Sequence, residues 1–117
     1  MNHALWIAVN LIYQVECGGD PNVKWGDNHH AAGCMQIHKC VIQDVNKHYN
    51  THYVWPDDPL KPETAKHITF LYLLKWGGIS NSVENYCRTW NGGPRGAFRK
   101  ATDGYWKKCK RTRDQTK

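Results

Sequence analysis

The sequence has no long apolar run and no leader-like start. None of its 117 residues fall in a stretch that approaches the roughly 20 consecutive apolar residues needed to span a membrane. Residues 1–12 lack the basic beginning and the small-residue cleavage site of a signal peptide. We therefore expect synthesis in the cytoplasm, with mostly reduced thiols.

Internal repeats and low-complexity tracts are also missing, which leaves a globular domain as the simplest organisation. Disorder is excluded because 40% of the residues are hydrophobic and the chain holds six Trp and six Tyr. The length fits one domain, residues 1–117. The five cysteines form an odd set, and each is expected to behave as a small buried hydrophobic residue.

The positive charge is concentrated at the C-terminus. The net charge is +6, and residues 95–117 hold nine Lys or Arg against only Asp103 and Asp114. A basic tail over about residues 100–117 favours contact with polyanions such as nucleic acid, teichoic acid or lipopolysaccharide. A solvated helical face explains the same charges equally well.

Apolar residues at helical spacing predict a mainly α protein with about five helices. The expected helices cover residues 3–17, 35–49 and 62–76, then a segment capped by Ser80 or Ser82, and one beginning near Thr102. Residues 23–33 are polar and contain turn signals. They predict a short loop or β-hairpin inserted after the first helix.

Glu16 stands out because it ends an apolar helix directly before Gly18 and Gly19. The negative end of the helix dipole and the apolar neighbours would both raise the pKa of its carboxyl. A raised pKa suits a general acid near neutral pH. Position alone, however, also fits an exposed Glu at a frayed helix end.

Three segments resemble the signature of lytic transglycosylases and goose-type lysozymes. They are Glu16-Cys17-Gly18, Gly33-Cys34-Met35-Gln36-Ile37 and Trp90-Asn91-Gly92-Gly93-Pro94. Their order and spacing are similar to the small soluble lytic transglycosylase domain of phages, over roughly residues 4–106. Cys17, Cys34 and Trp90 depart from the family's Ser, Leu and Tyr.

The resemblance implies an α+β lysozyme-like fold and cleavage of the bond between N-acetylmuramic acid and N-acetylglucosamine. Glu16 would protonate the glycosidic oxygen and then accept a proton from the C6 hydroxyl, which gives a 1,6-anhydro end. Substrate contacts are expected from the residues of the motifs and the nearby helix: Cys17, Met35, Gln36, Ile37, Tyr86, Trp90 and Asn91. Tyr86 and Tyr105 are candidates for stacking on sugar rings.

A hydrolytic lysozyme is the alternative. It would need a second carboxylate to activate water. Asp20 and Asp27 are the acids near the insertion after Glu16. Asp20 precedes Pro21 and reads as a turn former, which leaves Asp27 as the candidate base.

Three other classes of protein compete with an enzyme. A metal module is suggested by His29, His30, Cys34, His38 and Cys40, but no Cys-x2-Cys pair is present. A nucleic-acid-binding protein is suggested by the basic tail, although no base-reading element is evident. An inactive glycan-binding domain is disfavoured by Glu16.

We therefore expect an enzyme without metal or cofactor, monomeric and without stable nucleic-acid binding. Its partner would be peptidoglycan glycan strands, with the basic C-terminus approaching the anionic cell wall. Without a leader, a phage lysin or a virion-associated enzyme is the expected setting.

Overall fold

The computed structural model describes residues 3–18, 20 and 22–115. It contains five α-helices: α1 (His3–Cys17), α2 (Lys39–Tyr49), α3 (Pro62–Gly77), α4 (Val83–Gly92) and α5 (Asp103–Gln115). Short 3₁₀ turns lie at Asp58–Leu60, Gly96–Phe98 and Lys100–Thr102. The predicted class, mainly α with a small β element after the first helix, is confirmed.

Helix α1 forms the centre of the fold and packs against α3, α4 and α5. Its buried face is made by apolar side chains at helical spacing: Leu5, Ala8, Val9, Leu11 and Ile12. Because every turn of this face is covered, the C-terminal end of α1 is held in a fixed position relative to three other helices. That end carries Glu16.

The insertion after α1 is a three-stranded antiparallel sheet. Its strands are β1 (Trp25–Gly26), β2 (Ala31–Ala32) and β3 (Ile37–His38), in the order β1-β2-β3. The register places Gly26 opposite Ala31, and Ala31 opposite His38. The sheet therefore brings the turn after β1 and the end of β3 to the same side of the molecule.

The second predicted helix is wrong at its beginning. Residues 33–36 form a turn and Ile37–His38 a strand, so α2 begins at Lys39 rather than near residue 35. The turn needs a glycine at position 33, where φ is +74°. A Cβ added to Gly33 would lie only 2.2 Å from the carbonyl oxygen of Pro59. Gln36, inside the predicted helix, also has a left-handed φ of 59°, which an α-helix does not contain, so α2 begins only after it.

Two other predicted boundaries agree closely with the structure. Pro62 occupies the first turn of α3, and the side chain of Ser82 accepts a hydrogen bond from the Asn85 backbone at 3.0 Å to cap α4.

None of the helices in the described ranges is both long and apolar enough to cross a bilayer.

Candidate active site

Glu16 lies in the last turn of α1 and is partly buried. Its Oε2 accepts a hydrogen bond of 3.0 Å from the hydroxyl of Tyr105, in the first turn of α5. A hydroxyl that donates to one carboxylate oxygen fixes the side-chain rotamer and leaves the other oxygen available to a substrate. Glu16 is thus a positioned carboxyl rather than a frayed helix end.

Burial raises the pKa of the Glu16 carboxyl above its usual range. The hydrogen bond from Tyr105 and the positive charge of Lys108 lower the pKa and offset part of this effect. The direction agrees with the one predicted from the apolar surroundings, because removal from water disfavours the charged form. A carboxyl in this environment can hold a proton closer to neutral pH than an exposed one.

The position of Tyr105 is secured by an ion-pair network between α4 and α5. Arg88 Nε donates to Glu84 at 2.8 Å, and Arg88 Nη1 donates to Asp103 at 2.5 Å. The same Nη1 lies 3.1 Å from the hydroxyl of Thr102. These contacts hold the start of α5 against α4 and so place the Tyr105 ring beside α1.

Glu16 opens onto a pocket of about 210 Å³. The pocket is lined by residues from α1, the turn before β3, β3 itself, α2, α3 and α4: Glu16, Met35, Gln36, His38, Val41, Tyr72, Trp90 and Asn91. Its walls combine apolar surface with amide and imidazole groups, which is the usual chemistry of a small-molecule or saccharide site.

The turn before β3 presents Gln36 to the pocket. Gln36 has a left-handed φ of 59°, and its Nε2 donates to the Gly33 carbonyl at 3.0 Å. Gly26 makes room for this amide, because a Cβ there would lie only 2.0 Å from Gln36 Oε1. The amide is therefore held by the turn and by the strand beside it.

The opposite wall comes from the last turn of α4. Trp90 packs edge-to-face against Tyr72, with ring centroids 5.7 Å apart, and Asn91 follows it. Gly93, with a φ of 83°, ends the helix directly afterwards. The helix end thus exposes an indole and an amide to the pocket while the Tyr72 ring supports the indole.

Asp27 lies beside this pocket but is not one of its lining residues. It begins the turn between β1 and β2, where Asp27, Asn28 and His29 all have positive φ. Its Oδ2 lies 3.8 Å from His38 Nε2, and both side chains are exposed, by 63% and 44%. The structure therefore connects Asp27 to the pocket through His38.

Three residues expected to contact substrate require correction. Cys17 and Cys34 form a disulfide with Cα atoms 4.9 Å apart, so Cys17 has no free thiol beside Glu16. Ile37 and Tyr86 are fully buried, and the Tyr86 hydroxyl donates to the Gly78 carbonyl at 2.7 Å. Disulfide-bonded or fully buried side chains such as these three have no exposed surface that a sugar could contact.

Met35, Gln36, Trp90 and Asn91 line the pocket, Met35 as a fully buried side chain, and their contacts with substrate stay predictions. Three lining residues were not predicted to belong to the site: His38, Val41 and Tyr72. Val41 and Tyr72 fit helical spacing as core residues, and His38 was considered only as a metal ligand. The Tyr105 hydroxyl donates a hydrogen bond to Glu16, and stacking of its ring on a sugar stays a prediction.

In the described part of the chain, no three His, Cys, Asp or Glu side chains come close enough together to hold a metal ion. His38 of the suggested metal set pairs with Asp27, and Cys34 is used in the disulfide.

Replacing Tyr105 by Phe is expected to move the alkaline limb of the pH–activity profile to higher pH. The hydroxyl lowers the pKa of Glu16, so its loss raises that pKa further and keeps the acid protonated at higher pH. Initial rates across a pH series measure the shift. Tyr86→Phe is the matched control: it also removes a buried phenol hydrogen bond, worth about 1 kcal/mol, but leaves the profile in place. Identical profiles for both variants would contradict the role of Tyr105.

The fold and the pocket together define a lysozyme-like α+β domain, in which a buried helix ends on a carboxyl that faces a cleft. In sequence the chain is 52% identical over 104 residues to Lysozyme 1 of Crassostrea virginica. The match covers 86% of this chain and 55% of that protein, so the chain spans about half the length of this relative. No family model matches the chain.

A solved structure supports the same class. One chain of the complex of Aeromonas hydrophila PliI with Meretrix lusoria lysozyme superimposes with a TM-score of 0.73 and 25% identity. The match covers 89% of this chain and 86% of that one. Both comparisons therefore name lysozymes, and neither names a goose-type lysozyme or a lytic transglycosylase.

The expected setting is wrong. A cytoplasmic product with mostly reduced thiols, acting as a phage lysin or a virion-associated enzyme, does not fit the Cys17–Cys34 disulfide, because such crosslinks persist in oxidising, extracellular surroundings. The similar lysozymes come from Crassostrea virginica and Meretrix lusoria, not from phages.

Proposed function

We propose that this chain is a muramidase that hydrolyses the β-1,4 bond between N-acetylmuramic acid and N-acetylglucosamine in peptidoglycan. The observation that carries the proposal is Glu16, a partly buried carboxyl of raised pKa that faces a pocket in a lysozyme-like fold. The 52% identity to a lysozyme supports the same substrate class.

Glu16 acts as the general acid. Protonated at the start, it donates its proton to the glycosidic oxygen as the bond from that oxygen to the anomeric carbon breaks. The Tyr105 hydroxyl then stabilises the resulting carboxylate, since it already donates to Oε2. Hydrolysis is completed by a water molecule, for which Asp27 is the candidate base; it lies beside the pocket, 3.8 Å from the lining residue His38.

Substrate is held by the walls of the pocket. Gln36 and Asn91 supply amide groups that suit the hydroxyl and N-acetyl groups of a glycan. Trp90 offers a face to a sugar ring, and Met35 shapes the base of the pocket. The single domain acts as a monomer, without a metal, an organic cofactor or bound nucleic acid.

The exposed basic residues of α5 favour approach to the anionic cell wall. Four basic side chains face solvent on this helix: Lys107, Lys108, Lys110 and Arg111. The positive charge of Lys108 lowers the pKa of the Glu16 carboxyl. The helix therefore brings positive potential to the edge of the pocket.

A lytic transglycosylase is the second candidate, because Glu16 is the only carboxylate among the described residues that line the pocket. A single carboxyl that serves as acid and then as base would release a 1,6-anhydro end without using water.

Mass spectrometry of muropeptides after digestion of purified peptidoglycan tests the two candidates. We expect reducing ends, which are heavier than anhydro ends by one water molecule. Incorporation of ¹⁸O from labelled water provides an independent check on the same products. Anhydro ends without label would replace the muramidase by the lyase, and intact glycan strands would remove both.

A further inference from the structure

Phe98 is the most exposed large apolar side chain in the described part of the chain, with 88% of its surface open to solvent. It ends the 3₁₀ turn Gly96–Phe98, which packs against α4 beyond the pocket wall formed by Trp90 and Asn91. Neither the core nor the pocket uses this ring. Single exposed apolar side chains are common on protein surfaces, so the neighbours of Phe98 decide whether it has a use.

The charged neighbours of Phe98 in sequence are all basic. Residues 94–102 hold no acid and three exposed basic side chains: Arg95, Arg99 and Lys100. An apolar ring among Arg and Lys side chains is typical of proteins that lie on anionic bilayers, because the ring enters the headgroup region while the cations attract lipid phosphates.

The positive surface continues onto α5. The first acid after the turn is Asp103, and the hydrogen bond of 2.5 Å from Arg88 is the main reason why the pKa of its carboxyl lies below the usual range. The charges of Lys100 and Lys107 lower the same pKa, so both side chains lie near this carboxyl. The basic residues of the turn and of α5 therefore share one surface, and the acid within it is already paired.

The backbone around Phe98 is held in place by Thr102. The Thr102 hydroxyl hydrogen bonds to the carbonyls of Gly96 and Arg99 at 2.9 and 2.8 Å. The Phe98 backbone N–H donates to the Arg95 carbonyl at 3.0 Å. A ring on a braced turn loses less conformational entropy on binding than a ring on a loose one, which favours its use as an anchor.

We propose that residues 94–101 form a docking surface for bilayers that contain anionic lipids. The Phe98 ring enters the headgroup region, and the three basic side chains beside it contact lipid phosphates. This binding is separate from the proposed hydrolysis, since none of these residues lines the pocket.

A bilayer fits this surface better than a soluble polyanion does. A polyanion would neutralise the cations but would leave the Phe98 ring in water. A single-stranded nucleic acid would use several exposed rings along a groove, whereas Phe98 is the one exposed aromatic side chain among the described residues after Trp76. The lipid interface accounts for both the ring and the charges.

Co-sedimentation with vesicles tests the proposal. We expect the wild-type chain to bind vesicles of equal parts phosphatidylcholine and phosphatidylglycerol, more weakly as NaCl is raised, and to bind pure phosphatidylcholine poorly. Phe98→Ala should weaken binding about 10-fold because the burial of the ring is lost. Phe98→Trp should keep the affinity, since Trp also favours the interface. Ile79→Ala is the matched control, because Ile79 is 77% exposed and has no basic residue within three positions.

A charge variant tests the contribution of the cations. Arg99→Gln should weaken binding about 5-fold, the effect expected for one cation at an anionic membrane surface. Lys47→Gln makes the same change of charge at an exposed position on α2 and should bind like the wild type. Glu16→Gln should also bind like the wild type, so a failure of the muramidase function leaves this measurement unaffected.

Several results would overturn the proposal. Absence of binding to the anionic vesicles would reject it, and equal binding by Phe98→Ala and the wild type would reduce the surface to a site for polyanions. Lipid-free self-association that Phe98→Ala abolishes, measured by sedimentation velocity, would make a second copy of the chain the occupant. Circular dichroism and thermal unfolding establish that each variant is folded, as expected for substitutions at exposed positions.

Discussion

Glu16→Gln should abolish clearing of a cell-wall suspension, with a loss of at least about 100-fold in kcat/KM as expected for removal of a general acid. Glutamine keeps the shape of the side chain and can still accept the hydrogen bond from Tyr105, but it has no proton to give to the leaving oxygen. Turbidity assays and muropeptide release measure the loss. Glu63→Gln is the matched control, since Glu63 is an exposed acid whose partner Lys66 lies 3.6 Å away on the same helix.

The same substitution should stabilise the protein at neutral pH. Because the folded pKa of Glu16 is raised above its unfolded value of 4.5, the folded state binds more protons between those two values. The free energy of unfolding therefore falls as the pH rises through this window. At pH values above the window the charged carboxyl is a cost to the folded state. Glu16→Gln removes that cost, so its Tm should exceed that of the wild type at pH 7 and match it at pH 4.

A gain in stability together with a loss of activity would mark Glu16 as a residue retained for chemistry. Full clearing activity in Glu16→Gln would remove the proposed mechanism. A lower Tm at pH 7 would instead mean that the carboxylate stabilises the fold and that its charged form is favoured.

The helices were predictable because their signals are local. In α1 and α3 each buried face repeats every three or four residues, and Pro62 and Gly18 mark the boundaries. The strand Ile37–His38 was missed because two residues are too short to show alternation. Apolar residues before it happen to continue the helical spacing of α2, so the pattern extended that helix too far.

The site was less predictable because its contacts join distant parts of the chain. Tyr105 and Glu16 are separated by 89 residues, and no local pattern links them. His38 approaches Asp27 only because the three strands pair in one register. Motif resemblance pointed to Glu16 and Gln36. The contacts that position them come from Tyr105 on α5 and from the turn and strand around Gln36, which a sequence pattern does not encode.

The disulfide was also beyond sequence reasoning, since an odd set of five cysteines allows many pairings. In the structure Cys17 pairs with Cys34, while Cys40, Cys87 and Cys109 are free. The crosslink joins the residue after Glu16 to the residue before Met35. It therefore ties the acid at the end of α1 to the turn that forms the neighbouring wall of the pocket.

Removing this crosslink is expected to have the largest effect on stability. The bonded residues are 17 apart in sequence, and closing a loop of that size lowers the entropy of the unfolded chain by an amount worth about 3 kcal/mol. Cys17→Ala/Cys34→Ala should therefore reduce Tm by roughly 10 °C or more for a domain of this size. Cys40→Ala, which removes an exposed free thiol, is the matched control and should leave Tm unchanged.

Reduction of the wild type provides the complementary measurement. Dithiothreitol should lower the Tm of the wild type and of Cys40→Ala to the value of the double variant, and should not change the double variant itself. Activity should fall more steeply than the folded fraction, because the turn that carries Met35 and Gln36 loses its covalent link to the end of α1. If reduction left both Tm and activity unaltered, the crosslink would neither stabilise the fold nor align the acid with the wall of the pocket.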